Sequence, residues 1–245
     1  MALLEVDEVS KSFRGLRAVA RASFAVERHT IAALIGPNGA GKTTLFNLIA
    51  GVYRPDGGQI RLAGQAIGGF PAHRVCAAGV ARTFQLVKPF AELSVLDNAV
   101  VGALHSERTV AGARARARDV LQRLGLASKE PLSASQLTLA ERRRLEVARA
   151  VATRPSLLLL DEMMAGLRPG EIDELVAVLR GLQRDEEITI LLTEHVMRAV
   201  MALADQIVVL HHGEVIARGA PASVVRDPAV LESYLGEDAL EGAGA

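Results

Sequence analysis

The chain has 245 residues, half of them hydrophobic, and its 28 Lys and Arg balance 28 Asp and Glu. That length and apolar content suit one compact α/β domain with room for a small inserted lobe, and they exclude a disordered chain. With 6 Phe, 2 Tyr, no Trp and zero net charge, it lacks the stacking residues and positive balance of a general nucleic-acid binder, and its one cysteine, Cys76, excludes an intramolecular disulfide or a Cys-rich zinc site.

The N-terminal Met1-Ala-Leu-Leu-Glu5 turns acidic at once, unlike a signal peptide, and no apolar run approaches the roughly 18 residues of a bilayer span. A soluble intracellular globular protein is therefore expected. Leu4–Val6 and Val9 predict a strand, Arg14-Gly15 a turn and Val19–Val26 a returning strand. Thr30–Ile35 is a short apolar run closed by glycine, which predicts a buried strand, and Lys42–Ile49 predicts the helix after it. Gly57–Leu62 predicts an antiparallel piece at a sheet edge.

From about Leu86 to Thr153 the β-branched runs stop and several helices are expected. Between Leu104 and Ala150 there are ten Lys/Arg against five Asp/Glu. This basic segment is either a solvated helical face or an electrostatic docking surface. Ser156–Leu160, Ile188–Leu192 and Ile207–Leu210 then predict buried strands, with a helix over Ile172–Leu182 and an antiparallel piece at Glu214–Arg218. Strands alternating with helices predict a mainly parallel sheet. Glu232–Ala245 carries four acids and no base.

Gly36-Pro37-Asn38-Gly39-Ala40-Gly41-Lys42-Thr43-Thr44 fits G-x-x-x-x-G-K-[ST], between a strand and a helix. Glycines let backbone N–H groups curl around phosphates, and the following helix aims its positive end at the same anion. Lys42 can reach the β- and γ-phosphates, and the Thr43 hydroxyl can ligate Mg²⁺. Nucleotide binding follows. Leu157–Leu160 then delivers Asp161 and Glu162 at a strand end, the ligand edge of such a sheet. Asp161 suits Mg²⁺, directly or through water, and Glu162 suits the orientation or deprotonation of an attacking water. Thr193-Glu194-His195 places a polar group at another strand end. GTPase base-reading motifs are absent, since no Asn precedes Lys and no Asp has Gly three residues on.

The ordered set of phosphate loop, Gln85, helical segment, Asp161-Glu162 and His195 resembles the ATP-binding subunit of ABC transporters over essentially the whole chain. The resemblance implies an α/β P-loop NTPase of the ABC-ATPase fold, with a mainly parallel sheet core, an antiparallel β edge and an inserted helical subdomain. It implies one ABC ATP-binding domain over 1–245, with a RecA-like core and β edge at 1–85 and 154–235, a helical subdomain at 86–153 and an acidic tail at 236–245. It further implies that Phe13 stacks on adenine, that Gln85 senses Mg²⁺ and water and links to the membrane subunit, that His195 is the switch histidine and that Glu162 is the catalytic base. ATP and Mg²⁺ are the implied cofactors.

The family signature Leu-Ser-Gly-Gly-Gln is matched here by Leu137-Thr138-Leu139-Ala140-Glu141, without either glycine or the glutamine. Thr138-x-x-Glu141 is still a capping-box pattern, and a hydroxyl-capped helix N-terminus attracts anions. In the family this end meets ATP held by the opposite subunit, and Leu139 is placed to hinder that approach. Met163 stands where proline follows the glutamate in the family, and Arg168 where Asp or Asn is expected.

Gly79–Gln85, Phe90–Asn98, Arg142–Ala150, Ala165–Pro169, Thr193–His195 and Ser233–Gly236 are similar to the ATPases of branched-chain amino-acid importers. This implies a second ATP-binding subunit, paralogous or identical, two transmembrane permease subunits, an external substrate-binding protein and a place on the cytoplasmic side of the inner membrane. Residues near Val87–Leu104 would pass motion to the membrane partner; no nucleic acid is expected. Two other classes stay open: a soluble ABC-type ATPase acting on ribosomes or DNA, and a weakly hydrolysing nucleotide-dependent regulatory protein.

Overall fold

The computed structural model describes residues 1–83 and 89–241. In chain order the elements are β1 (Ala2–Phe13), β2 (Leu16–Glu27), β3 (Ile31–Ile35), α1 (Lys42–Ile49), β4 (Gly57–Leu62), β5 (Gln65–Ala66), α2 (Ala72–Ala77) and β6 (Val80–Arg82). Then come α3 (Val95–Ala103), α4 (Val110–Arg123), α5 (Leu139–Val151), β7 (Leu157–Asp161), α6 (Pro169–Asp185) and β8 (Thr189–Thr193). The chain ends with α7 (Met197–Leu203), β9 (Gln206–His211), β10 (Glu214–Gly219), α8 (Pro221–Val224) and α9 (Pro228–Glu241). By its contacts the chain forms two units, Met1–Ala78 with Thr189–Ala245, and Gly79–Ile188.

The first unit holds an antiparallel sheet in the order β2-β1-β4-β5. Its long hairpin turns at Arg14-Gly15, where both residues have positive φ (47° and 89°). That is the two-residue turn whose twist matches the strands it joins. The unit also holds β3 in parallel with β8 and β9, and β10 antiparallel to β9. Every residue of β3 and of β8 is buried, as a parallel strand covered on both faces requires.

In the second unit β6 and β7 pair in parallel, Val80 beside Leu157 and Arg82 beside Leu159. The helices α3, α4 and α5 are inserted in sequence between these two strands. On α4 the buried residues are Ala113, Ala117, Val120 and Leu121, a single apolar stripe at helical spacing. Gly102 lets α3 approach α5 closely, since a Cβ there would lie 2.1 Å from the Arg149 carbonyl oxygen. The basic excess of this segment is largely neutralised within the unit. Arg114 pairs with Asp97, Arg116 with Glu186, Arg118 with Glu130, Arg123 with Asp119, Lys129 with Glu141 and Arg144 with Glu174.

Candidate nucleotide-binding and hydrolysis residues

The loop Gly36–Gly41 leaves the buried end of β3 and opens α1. A Cβ at Gly36 would lie 2.0 Å from the Leu210 carbonyl oxygen, and one at Gly41 would lie 2.3 Å from that of Ala18. Both glycines also have positive φ, so the tight path of the loop excludes other residues here. The loop is braced within its own unit: the Gly213 N–H donates to Ala40 O at 2.9 Å, and the Ala20 N–H donates to Gly213 O at 2.8 Å.

Helix α1 has no side-chain cap and no acidic residue in its first turn. Its N-terminal N–H groups and dipole are therefore left for an anion rather than for the protein's own carboxylates. Lys42 is only 7% exposed, and its ammonium donates to Gly36 O at 2.6 Å and Pro37 O at 2.8 Å. Its charge is thus held over the loop. Thr43 is exposed and Thr44 half-buried on the same first turn.

Phe13, at the end of β1, meets Tyr53 edge to face with ring centroids 5.1 Å apart. Both rings are 38% exposed, and the Lys11 ammonium lies 5.6 Å from the Phe13 centroid. Lys11 is itself fixed by Asp56 at 2.6 Å, which also accepts from the Ser12 N–H at 2.7 Å. Sequence reasoning passed over Tyr53; the turn it occupies after α1 was its one signal. His195 is exposed just past β8, next to the buried Glu194.

In the second unit Asp161 ends β7 and is buried. Its carboxylate accepts from Arg82 Nη2 at 2.8 Å, and its N–H donates to Thr83 Oγ1 at 3.3 Å. Arg82 and Thr83 carry no local sequence signal of a role; only the pairing of β6 with β7 brings them to Asp161. Glu162 follows with φ of 48°, in the left-handed region that costs an ordinary residue about 1 kcal/mol or more. Met163 and Met164 after it are buried. A proline at 163 would push residue 162 towards extended backbone, so Met163 accommodates this turn. Gln85 lies outside the described residues.

Thr138 is the N-cap of α5, and the expected capping box forms: Thr138 Oγ1 accepts from the Glu141 N–H at 3.3 Å, and Glu141 Oε2 accepts from the Thr138 N–H at 2.9 Å. That backbone bond, together with Lys129, holds the Glu141 carboxyl below its ordinary pKa. Leu137 and Ala140 are buried, whereas Leu139 is 44% exposed. The loop after Met164 passes close by, since a Cβ on Gly166 would lie 3.3 Å from Leu139 Cδ2. Arg168 is exposed at the N-cap of α6, where its N–H donates to Glu171 at 2.8 Å.

A model of the ABC transporter family matches residues 19–165. The chain belongs to the ABC transporter ATP-binding family. A second model, the branched-chain amino acid ATP-binding cassette transporter, matches residues 214–239 of this ABC ATPase. The high-affinity branched-chain amino acid transport ATP-binding protein BraF of Pseudomonas aeruginosa is 40% identical over 96% of this chain and 98% of its own length. The corresponding LivG protein of Escherichia coli K12 is 39% identical over 96% and 98%. A crystal structure of the ADP conformation of an ABC transporter cassette superposes with a TM-score of 0.87 at 28% identity, covering 96% of this chain and 99% of that one. The ABC ATPase fold, α/β with a P-loop, and ATP binding are thus properties of this chain.

Among the described residues no helix of this ABC ATPase is long and apolar enough to cross a membrane. A separate exposed apolar set lies on its helical insertion: Phe90, 49% exposed, with Leu93, Val101 and Leu104. The loop that carries Phe90 is clamped by the fully buried Asn98. Asn98 Oδ1 accepts from the Phe90 N–H at 2.9 Å, and Nδ2 donates to Phe90 O at 3.0 Å and Ser94 O at 2.9 Å. The Arg149 guanidinium stacks over the Phe90 ring at 5.4 Å.

Proposed function

We propose that this ABC ATPase energises a membrane importer for branched-chain or related amino acids. One observation carries the reading: full-length identity of 40% to BraF, a branched-chain amino acid transport ATP-binding protein. The C-terminal match at residues 214–239 supports it. The partners are a second ATP-binding subunit, two transmembrane permease subunits and, indirectly, an external substrate-binding protein. The chain sits peripherally on the cytoplasmic side of the inner membrane.

In the proposed reaction the loop N–H groups and Lys42 bind the phosphates of ATP, and Phe13 with Tyr53 offers an aromatic face to the adenine. Magnesium takes oxygen donors, usually one or two carboxylates besides phosphate and water. The donor types suit that demand: Thr43 would offer a hydroxyl, and Asp161, buried at the end of β7, a carboxylate. Bound magnesium supplies charge neutralisation at the β- and γ-phosphates. Glu162 takes the proton of the water as its oxygen bonds to the γ-phosphorus; the bond from phosphorus to the β-bridging oxygen breaks, leaving ADP and phosphate. His195 donates a hydrogen bond to the γ-phosphate, and Gln85 orients the water. The Thr138-capped end of α5 faces ATP held by the opposite subunit.

Affinity purification of the tagged chain from gently solubilised native membranes tests the reading. Two polytopic subunits and a second ATPase are expected to co-purify, with the associated binding protein naming the cargo. Recovery from the soluble fraction alone, with no membrane partner, rejects the transporter role in favour of a soluble ATPase.

A further inference from the structure

We propose that Arg82 is a positioning residue for hydrolysis: it fixes the Asp161 carboxylate in the orientation that magnesium requires. The inference rests on the reading of Asp161 as the magnesium carboxylate. Parallel pairing sets Arg82 beside Leu159, and Asp161 lies two residues on, on the same face of β7. The ion pair is nearly out of solvent, with side-chain exposure of 10% for Arg82 and 3% for Asp161, and its contact is 2.8 Å. Thr83 fixes the backbone of the same strand end. Its N–H donates to Leu159 O at 2.9 Å, and its hydroxyl accepts from the Asp161 N–H at 3.3 Å. Adjacent residues thus hold the carboxylate and the peptide of Asp161.

The pair asks for an explanation beyond stability. A buried ion pair gains little over well-packed apolar residues of similar size, because desolvation of both charges offsets their attraction. The neighbouring positions Val80, Ala81 and Leu157–Leu160 are apolar and buried, so an apolar residue at 82 would suit the strand. A charged donor is needed where a carboxylate must be held in one orientation. Outer-shell partners of metal ligands do this, and their loss typically weakens metal affinity or activity by about 10- to 100-fold.

The test titrates the full-length chain with a fluorescent non-hydrolysable ATP analogue, in EDTA and across magnesium concentrations. Arg82→Met is expected to raise the half-saturating magnesium concentration by about 10- to 100-fold while affinity in EDTA stays within about twofold. Arg82→Lys restores part of the loss, because it keeps the charge without the planar fork. An unshifted magnesium curve, or an equal loss of affinity in EDTA, overturns the proposal. Should Arg82→Met fail to fold, Arg82→Lys and Thr83→Val decide by the same two curves: a shift confined to the magnesium curve supports positioning, and no shift overturns it. Asp161→Asn separates the two readings. If it leaves the magnesium dependence unchanged, the role of Asp161 itself fails; if it shifts the curve and the Arg82 variants do not, only the role of Arg82 fails.

Discussion

At the scale of single residues, the phosphate loop shows how charge is stored before a ligand uses it. The Lys42 ammonium is buried and donates to two carbonyls of its own loop, at 2.6 and 2.8 Å. Those carbonyls meet part of the cost of burying a cation, and they hold it over the N-terminal end of α1. A phosphate anion offers a stronger acceptor than either carbonyl, because it adds the attraction of opposite charges to the hydrogen bond. Lys42→Met keeps the aliphatic stem and removes the donor. The loss of a charged hydrogen bond, about 1.5–3 kcal/mol, corresponds to an ATP affinity lower by about 10- to 100-fold. Fluorescent nucleotide titration measures it, and an affinity unchanged from that of the parent chain would mean that the ammonium never leaves its carbonyls.

At the scale of elements, the helical insertion presents an apolar surface from a rigidly held loop. Asn98 is buried on α3, and its amide satisfies both backbone groups of Phe90 together with the Ser94 carbonyl. Asn98→Ala removes the acceptor of the Phe90 N–H and leaves Phe90 O and Ser94 O only their backbone donors, the Leu93 N–H at 3.1 Å and the Asn98 N–H at 2.9 Å, at about 0.5–1.5 kcal/mol for each hydrogen bond lost. The loop is then expected to loosen, and Phe90 to lose its fixed place over Arg149. Recovery of membrane subunits in the affinity purification should fall sharply, while ATP affinity of the isolated chain stays at the parental level. Equal recovery of partners from Asn98→Ala would show that this loop is not part of the docking surface.

These elements also show what sequence reading reaches. The phosphate loop, the acidic end of β7 and the capping box at Thr138 were legible because each is a local pattern, written within nine or fewer consecutive residues. The partnership of Phe13 with Tyr53 and that of Arg82 with Asp161 were not. The latter spans 79 positions, and only the pairing of β6 with β7 brings the residues together. The basic run of the helical segment was legible as a surplus of charge but not in its disposition. Its counter-ions Asp97, Glu174 and Glu186 stand on α3, on α6 and just beyond α6, outside the run itself.

At the scale of the whole molecule, the proposed function needs a second ATP-binding subunit to close on this one. The altered signature bears on how tightly a second subunit closes. Thr138 keeps the hydroxyl and the capped N-terminus of α5, so the anion-binding character of that end survives the loss of the family glycines. Leu139 adds an exposed apolar side chain at the same end. In the proposed ATP-bound dimer the backbone N–H groups of this end must approach the phosphates closely, and a leucine side chain would stand in the way where a glycine has none. In a Glu162→Gln background, expected to stop turnover, ATP is expected to drive association that ADP does not. Adding Leu139→Gly is expected to tighten that association several-fold, about 1 kcal/mol, as the bulk is removed and the cap is kept. Light scattering against protein concentration reads the dissociation constant in each nucleotide. A constant unmoved by Leu139→Gly would place Leu139 outside the subunit contact and return the altered signature to a purely structural capped helix.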